Sequence, residues 1–100
     1  MKEEEQHELR LPKENEILGV VISMLGASMA QIICADGKER KGRIPGRLKR
    51  NMWIKNGDVV IVQPWPVSGD KGCDIVYRYS KADVEVLKQK GLLQNLPITD

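Results

Sequence analysis

The chain has 100 residues, of which 41% are hydrophobic and 30% charged, with a formal net charge of +2. That length makes one small domain, and the balance of apolar and charged residues excludes a disordered chain. No apolar run approaches the roughly 20 residues of a membrane helix, and the opening MKEEEQHELRLPKENE lacks an apolar signal-peptide core, so a cytoplasmic protein is expected.

Residues 1–15 carry more glutamates than lysines and arginines and read as a flexible acidic arm. At Ile17 the texture changes: ILGVVISML is rich in β-branched residues and predicts a first strand, with Gly19 marking a bend or a close backbone approach. Gly26 to Ser28 turns the chain, and MAQIICA follows as a second strand with Ile32 and Cys34 on one face. Asp36-Gly37 is a hairpin signal. The third strand, Lys38 to Ile44, is nearly all charge, and only Ile44 reads as inward. Pro45 to Met52 predicts a turn with a short helical piece, anchored by Leu48. Asn56 to Asp58 is a second turn before the fourth strand, Val59 to Val62, which ends at Pro64 and Pro66 around Trp65, read as a loop anchor rather than a base platform. VSGDKG is a flexible loop, and CDIVYRYS a fifth strand with Ile75 and Tyr77 on one face, Val76 and Arg78 on the other.

Ser80 and Asp83 have capping-box spacing, so a helix opens there. Val84 and Leu87 give it a narrow apolar stripe, and Gly91 suits a left-handed stop. Residues 92–100 form a short tail whose leucines read as packing back on the domain, since a small fold recruits every apolar side chain it can. The domain proper is expected over residues 16–91. Five short strands, a helical link between the third and fourth, and a C-terminal helix describe a mainly β fold: a five-stranded Greek-key barrel of the oligonucleotide-binding type.

Cys34 and Cys73 stand with 38 residues between them and no CxxC, and His7 is the only histidine. Both cysteines read as reduced core thiols, with no metal site and no cofactor. The same inventory argues against an enzyme: there is no plausible Ser-His or Cys-His pair and no phosphate-binding glycine loop.

Function is concentrated between Lys38 and Lys55, KERKGRIPGRLKRNMWIK. Eight cations there are opposed only by Glu39, although the whole chain nets +2. A field so local suits an extended polyanion. Gly42, Pro45 and Gly46 break the run, so it cannot be one helix, and Trp53 follows it as a ring that either stacks on a base or closes the barrel end. Two RNA-binding readings follow. One is a factor for folded RNA with fixed phosphate geometry. The alternative is a generic RNA-binding or cold-shock-like RNA-chaperone module, which normally carries several exposed aromatics on strands two and three, where this chain has none.

The ordered pattern from ADGKERKGRIPGRLKRNMWIKNGDVVIV, with SMLG before it and GDKGCDIVYRYS and A-D-V-x-x-L-K-x-x-G after it, resembles the translation initiation factor 1A family in its archaeal form. The likeness runs from about Leu11 to Gly91. It implies an S1-like oligonucleotide-binding domain that binds small-subunit ribosomal RNA at the aminoacyl (A) site without catalysis. It further implies support of initiator tRNA binding, start-codon selection and subunit joining. The implied partners are the small ribosomal subunit and its RNA, other initiation factors including the subunit-joining GTPase, and initiator tRNA indirectly; the factor itself is expected to be a monomer with no membrane association. The family's RNA surface falls on Lys41, Arg43, Arg47, Lys49, Arg50 and Trp53, with Lys38 and Arg40 at its periphery. Arginine bridges phosphate oxygens bidentately and stacks on bases, so Arg43 and Arg47 take the directed contacts and Lys41, Lys49 and Arg50 the backbone charge. Relative to the eukaryotic relatives the chain departs at both ends, with a short acidic arm and LLQNLPITD as its tail.

Overall fold

A computed structural model of the chain describes residues 9–26, 28–46 and 54–97. Five strands, β1 (Ile17–Met24), β2 (Met29–Cys34), β3 (Glu39–Arg43), β4 (Val59–Pro64) and β5 (Gly72–Arg78), close into a barrel in the order β1-β2-β3-β5-β4, followed by a helix, α1 (Lys81–Gln89). Every pairing is antiparallel except β3 with β5, where Lys41 lies beside Gly72 and Arg43 beside Asp74. Closure falls on β1. Its first half pairs with β4 (Ile17 with Val62, Val20 with Val59), and from Gly19 onward it also pairs with β2 (Gly19 with Cys34). The bend that this double pairing needs is supplied by an irregularity between Val21 and Ser23, which leaves Ile22 outside the ladder.

The residues sort onto two apolar layers. Val21, Ala30, Ile32, Cys34, Ile44, Ile54, Val60, Val62, Cys73 and Ile75 fill the barrel interior. Leu18, Val20, Val59 and Ile61 point the other way and are covered by Tyr79, Leu87, Leu93 and Leu96. β1 and β4 are therefore buried on both faces, which is why they read as continuous apolar runs rather than alternating ones. Leu93 and Leu96 sit in that second layer, and Leu9 packs against it. The domain thus takes in residues on both sides of the expected limits at 16 and 91. Arg10 locks the incoming segment: it holds the Glu16 carboxylate at 3.0 and 3.3 Å, lies 5.4 Å from the Tyr77 ring centroid, and its carbonyl accepts the Tyr79 hydroxyl.

Helix α1 is bounded as its sequence requires. The Ser80 hydroxyl accepts from the Asp83 amide at 3.2 Å. At the other end Gly91 takes φ +75°, with its own amide donating to Lys88 and the Leu92 amide to Leu87, a Schellman closure. The Leu93 and Leu96 contacts follow directly from that turn.

Two expectations are corrected. The first concerns β3, where Arg40 and Gly42 face inward as well as Ile44 just beyond its end, not Ile44 alone. A β carbon at position 42 would collide with the end of Ile32 and come within 3.2 Å of Ile75 and 3.4 Å of Cys73. Glycine is there because the barrel has no room for more. The second is in β5, where Val62 pairs with Ile75 and Ile61 with Tyr77, so Val76 is an extra residue. Alternation breaks at that bulge: Ile75 enters the barrel, while Val76 and Tyr77 both pack towards the helix layer. The helical link expected over Pro45–Met52, with its anchor Leu48, lies outside the described residues from position 47 onward.

Cys34 and Cys73 are free and fully buried. Burial pushes both thiols up, Cys73 to about 12. Two outcomes are expected. Gly42→Val should lower stability by about 1–3 kcal/mol through overpacking, read by chemical denaturation. A thiol reagent should label the native protein only at the rate of global unfolding at neutral pH; rapid labelling would contradict the closed interior.

Candidate nucleic-acid interface

With α1 and the tail covering one flank of the barrel, the outer faces of β2, β3 and the start of β5 stay wet. Strand alternation decides which side chains stand there. On β2 they are Met29 and Gln31, opposite the interior Ala30, Ile32 and Cys34, while Ile33 at the far end of the same face packs against the helix layer; on β3 they are Glu39, Lys41 and Arg43; on β5, Asp74. Register lines them up in rows: Met29 beside Arg43 beside Asp74, and Gln31 beside Lys41 beside Gly72.

Not every cation of the basic window is equally available. Lys41 has no ion pair among the described residues. Arg43 holds Asp74 at 2.9 and 3.3 Å, yet its side chain remains 61% exposed. Lys38 pairs with Asp70 at 3.0 Å, also in solvent. Such exposed pairs contribute about 0–1 kcal/mol and are screened by salt. A phosphate can replace either carboxylate at little cost.

Arg40 is different, and its expected place at the edge of the RNA surface is corrected. It is 3% exposed and points inward. Each of its three nitrogens donates within the protein: Nη1 and Nη2 reach the two Asp36 oxygens at 3.0 and 2.9 Å, and Nε reaches the Gly69 carbonyl at 2.5 Å. The Asp36 bond holds the Arg40 guanidinium firmly protonated and pulls the Asp36 carboxyl below its usual range. Arg40 therefore ties the β2–β3 turn to the β4–β5 loop; it presents nothing to an outside ligand. Lys38 with Asp70 makes a second, exposed tie between the same two loops.

That tie brings in two side chains that the sequence reading left out of the site. Lys71 is exposed, and its carbonyl accepts the Lys41 amide at 2.9 Å, so two lysines stand at adjacent positions of the β3–β5 seam. Trp65 lies over Gly72: a β carbon at 72 would run into the indole ring. Its Nε1 donates to Asp74 at 3.1 Å, and the Arg43 guanidinium carbon is 5.8 Å from its ring centroid. Partial burial pushes the Asp74 carboxyl up, but the bonds from Arg43 and Trp65 outweigh it and hold it below its usual range. Trp65 does anchor its loop, as expected, and it also places a ring on the wet face. No periodicity in the sequence signals this; only the parallel β3–β5 pairing brings residues 65–72 beside 41–43. Arg47, Lys49, Arg50 and Trp53 of the expected surface lie outside the described residues.

A closed five-stranded barrel with β3 and β5 parallel, a covered flank and a wet, lysine- and arginine-bearing sheet face is an oligonucleotide-binding-type barrel. The family model described as Translation initiation factor 1A / IF-1 matches residues 6–98. The chain is 52% identical over 88 residues to Translation initiation factor 1A of Methanococcus maripaludis strain C5, covering 86% of this chain and 85% of that one. It is 52% identical over 93 residues to the factor of Pyrobaculum aerophilum (93% and 81% covered) and 54% identical over 81 residues to that of Pyrococcus abyssi (81% and 72% covered). The solution structure of translation initiation factor IF-1 from the Wolbachia endosymbiont strain TRS of Brugia malayi shares the fold, with a TM-score of 0.50, 20% identity, and 72% and 85% of the two chains covered. The chain belongs to the translation initiation factor 1A family.

Arg40→Met is expected to lower stability by about 2–4 kcal/mol, because it strands Asp36 and the Gly69 carbonyl, whereas Arg43→Met should shift it by less than about 1 kcal/mol. Denaturant titrations of the two variants measure the contrast. Asp36, Asp74 and Glu16 all have depressed carboxyl values. Their stabilisation is complete above the unfolded carboxylate range of about 4 and is lost as pH falls through the lower folded values. Thermal melts should thus be flat from neutral pH to about 5 and drop below about 4, with a shallower acid limb in Asp36→Asn.

Proposed function

We propose that this initiation factor binds small-subunit ribosomal RNA at the aminoacyl site, as a monomer in the cytoplasm and without catalysis. There it supports initiator tRNA binding, start-codon selection and subunit joining, alongside other initiation factors including the subunit-joining GTPase. The observation that carries the reading is the confinement of Lys41, Arg43 and Lys71 to one uncovered barrel face, continuous in sequence with the cations at 47–50. Family membership supports the ribosomal setting. Among the described residues the wet face has one aromatic ring, Trp65, since Tyr77 and Tyr79 belong to the helix layer. One platform is few for holding an arbitrary single strand, and charges at fixed register on a rigid sheet suit a folded RNA whose phosphates are equally fixed.

Co-sedimentation with isolated small subunits tests this, with an excess of unstructured RNA as competitor. Binding should persist against the competitor and weaken with salt by roughly 0.7–0.9 log units per log unit of salt for each phosphate engaged. Lys41→Ala with Arg43→Ala should weaken it further and flatten the slope by about two phosphates' worth. Equal competition by unstructured RNA would favour the generic RNA-chaperone role, and a flat salt response would remove the charged face from the account.

A further inference from the structure

Trp65 is held more tightly than a loop anchor requires. Its ring rests on the side-chain-free Gly72, its Nε1 is bonded to Asp74, and the same carboxylate fixes Arg43 beside the ring. The loop that carries it is pinned as well. Ser68 adopts φ +65° and its carbonyl accepts the Lys71 and Gly72 amides at 2.9 and 3.0 Å, while Arg40 holds Gly69 from inside the barrel. On this fixed loop Val67 is 80% exposed. Arg43, Trp65, Pro66 and Val67 together line an open cavity of about 370 Å³, one cation among three apolar residues.

We propose that this cavity is a stacking subsite for a single unpaired nucleobase, with Trp65 as the platform, Arg43 as the cationic flank and Val67 as the apolar wall. The proposal rests on the RNA-binding reading above and assigns that site a second kind of contact. The occupant is argued from the surroundings. An indole with an adjacent guanidinium accepts a flat π system, and Lys41 and Lys71 on the neighbouring seam supply charge for the phosphates on either side of such a base. A base paired within a helix offers no free face, so the nucleotide must be splayed out of its stack. Because ring and loop are already held, little ordering of the platform has to be offset on binding.

The test follows the two indole N–H resonances of ¹⁵N-labelled protein, that of Trp65 being assigned by its loss in Trp65→Leu. An unstructured RNA hexanucleotide, and separately isolated small subunits, are the probes. The Trp65 resonance should move with the hexanucleotide. Trp65→Leu should weaken that binding by about tenfold with an unchanged salt slope, since no charge is removed. Trp65→Phe should retain most of the affinity, and Val67→Asp, altered where the side chain is already in solvent, should lose affinity without loss of stability. An unmoved Trp65 resonance under hexanucleotide that shifts the Lys41 and Arg43 amides overturns the subsite, as does a response to aromatic peptides but not to RNA. Subunit binding that is insensitive to Trp65→Leu overturns the subsite and leaves the ribosomal role standing. A Trp65 response to the hexanucleotide without subunit binding upholds the subsite and refutes the ribosomal role.

Discussion

The guanidinium of Arg40 is the one arginine charge among the described residues that the fold has taken inside, and the shape of the outer surface depends on it. A charge moved out of water is costly unless its partners are complete. Here the charge is met by both oxygens of Asp36, and the Gly69 carbonyl accepts the Nε hydrogen bond. The three groups come from β3, from the β2–β3 turn and from the β4–β5 loop, segments distant in sequence. Satisfying one buried cation therefore fixes the relative position of both loops that flank the wet face. Trp65, Lys71 and Val67 stand where they do because the loop between β4 and β5 has no freedom to leave.

A second constraint divides the surface. β1 and β4 are apolar on both sides, so something has to cover their outer face, and α1 with Leu93 and Leu96 does so. The uncovered remainder is the outer face of β3, of the first part of β2 and of the start of β5. Chain economy thus decides the location of the wet face: the polar strands are left for solvent and the apolar ones receive the helix. Arg43 and Lys38 lean on carboxylates of their own chain, but in solvent, where such pairs exchange readily. The face is consequently neither a bare cationic patch nor a neutralised one. It is a set of positive groups held in register and able to trade a carboxylate for a phosphate.

Much of this was legible in the residues. The runs at 17–24 and 59–64, the Asp36-Gly37 turn, and the Ser80 and Gly91 helix bounds correspond to local chemistry with few alternatives, and the ordered motifs carried the family. What could not be read was anything that depends on the inside of the barrel or on non-local pairing. β3 reads as a strand, but an arginine and a glycine at its inward positions hide which face turns inside, because nothing in 39–43 announces the space that Ile32 already fills or the carboxylate that waits for Arg40. The bulge at Val76 is equally silent in sequence, since it answers the closure of the barrel. Trp65 between two prolines reads as punctuation. Its second role exists only because β5 runs parallel to β3 and offers a glycine for the ring to lie on. The basic window itself was legible as a charge but not as a partition: it mixes the structural Arg40 with the outward Lys41 and Arg43 at alternate positions of one strand.

Amide line-broadening mapped over the whole domain, with substoichiometric small subunits added, bears most directly on the claim that one barrel flank meets folded RNA and the other does not. The account predicts loss of signal at Gln31, Lys41, Arg43 and the 65–72 loop, with α1 and Leu93 to Leu96 retaining theirs. Broadening centred on the helix side, or spread evenly over both flanks, would contradict it.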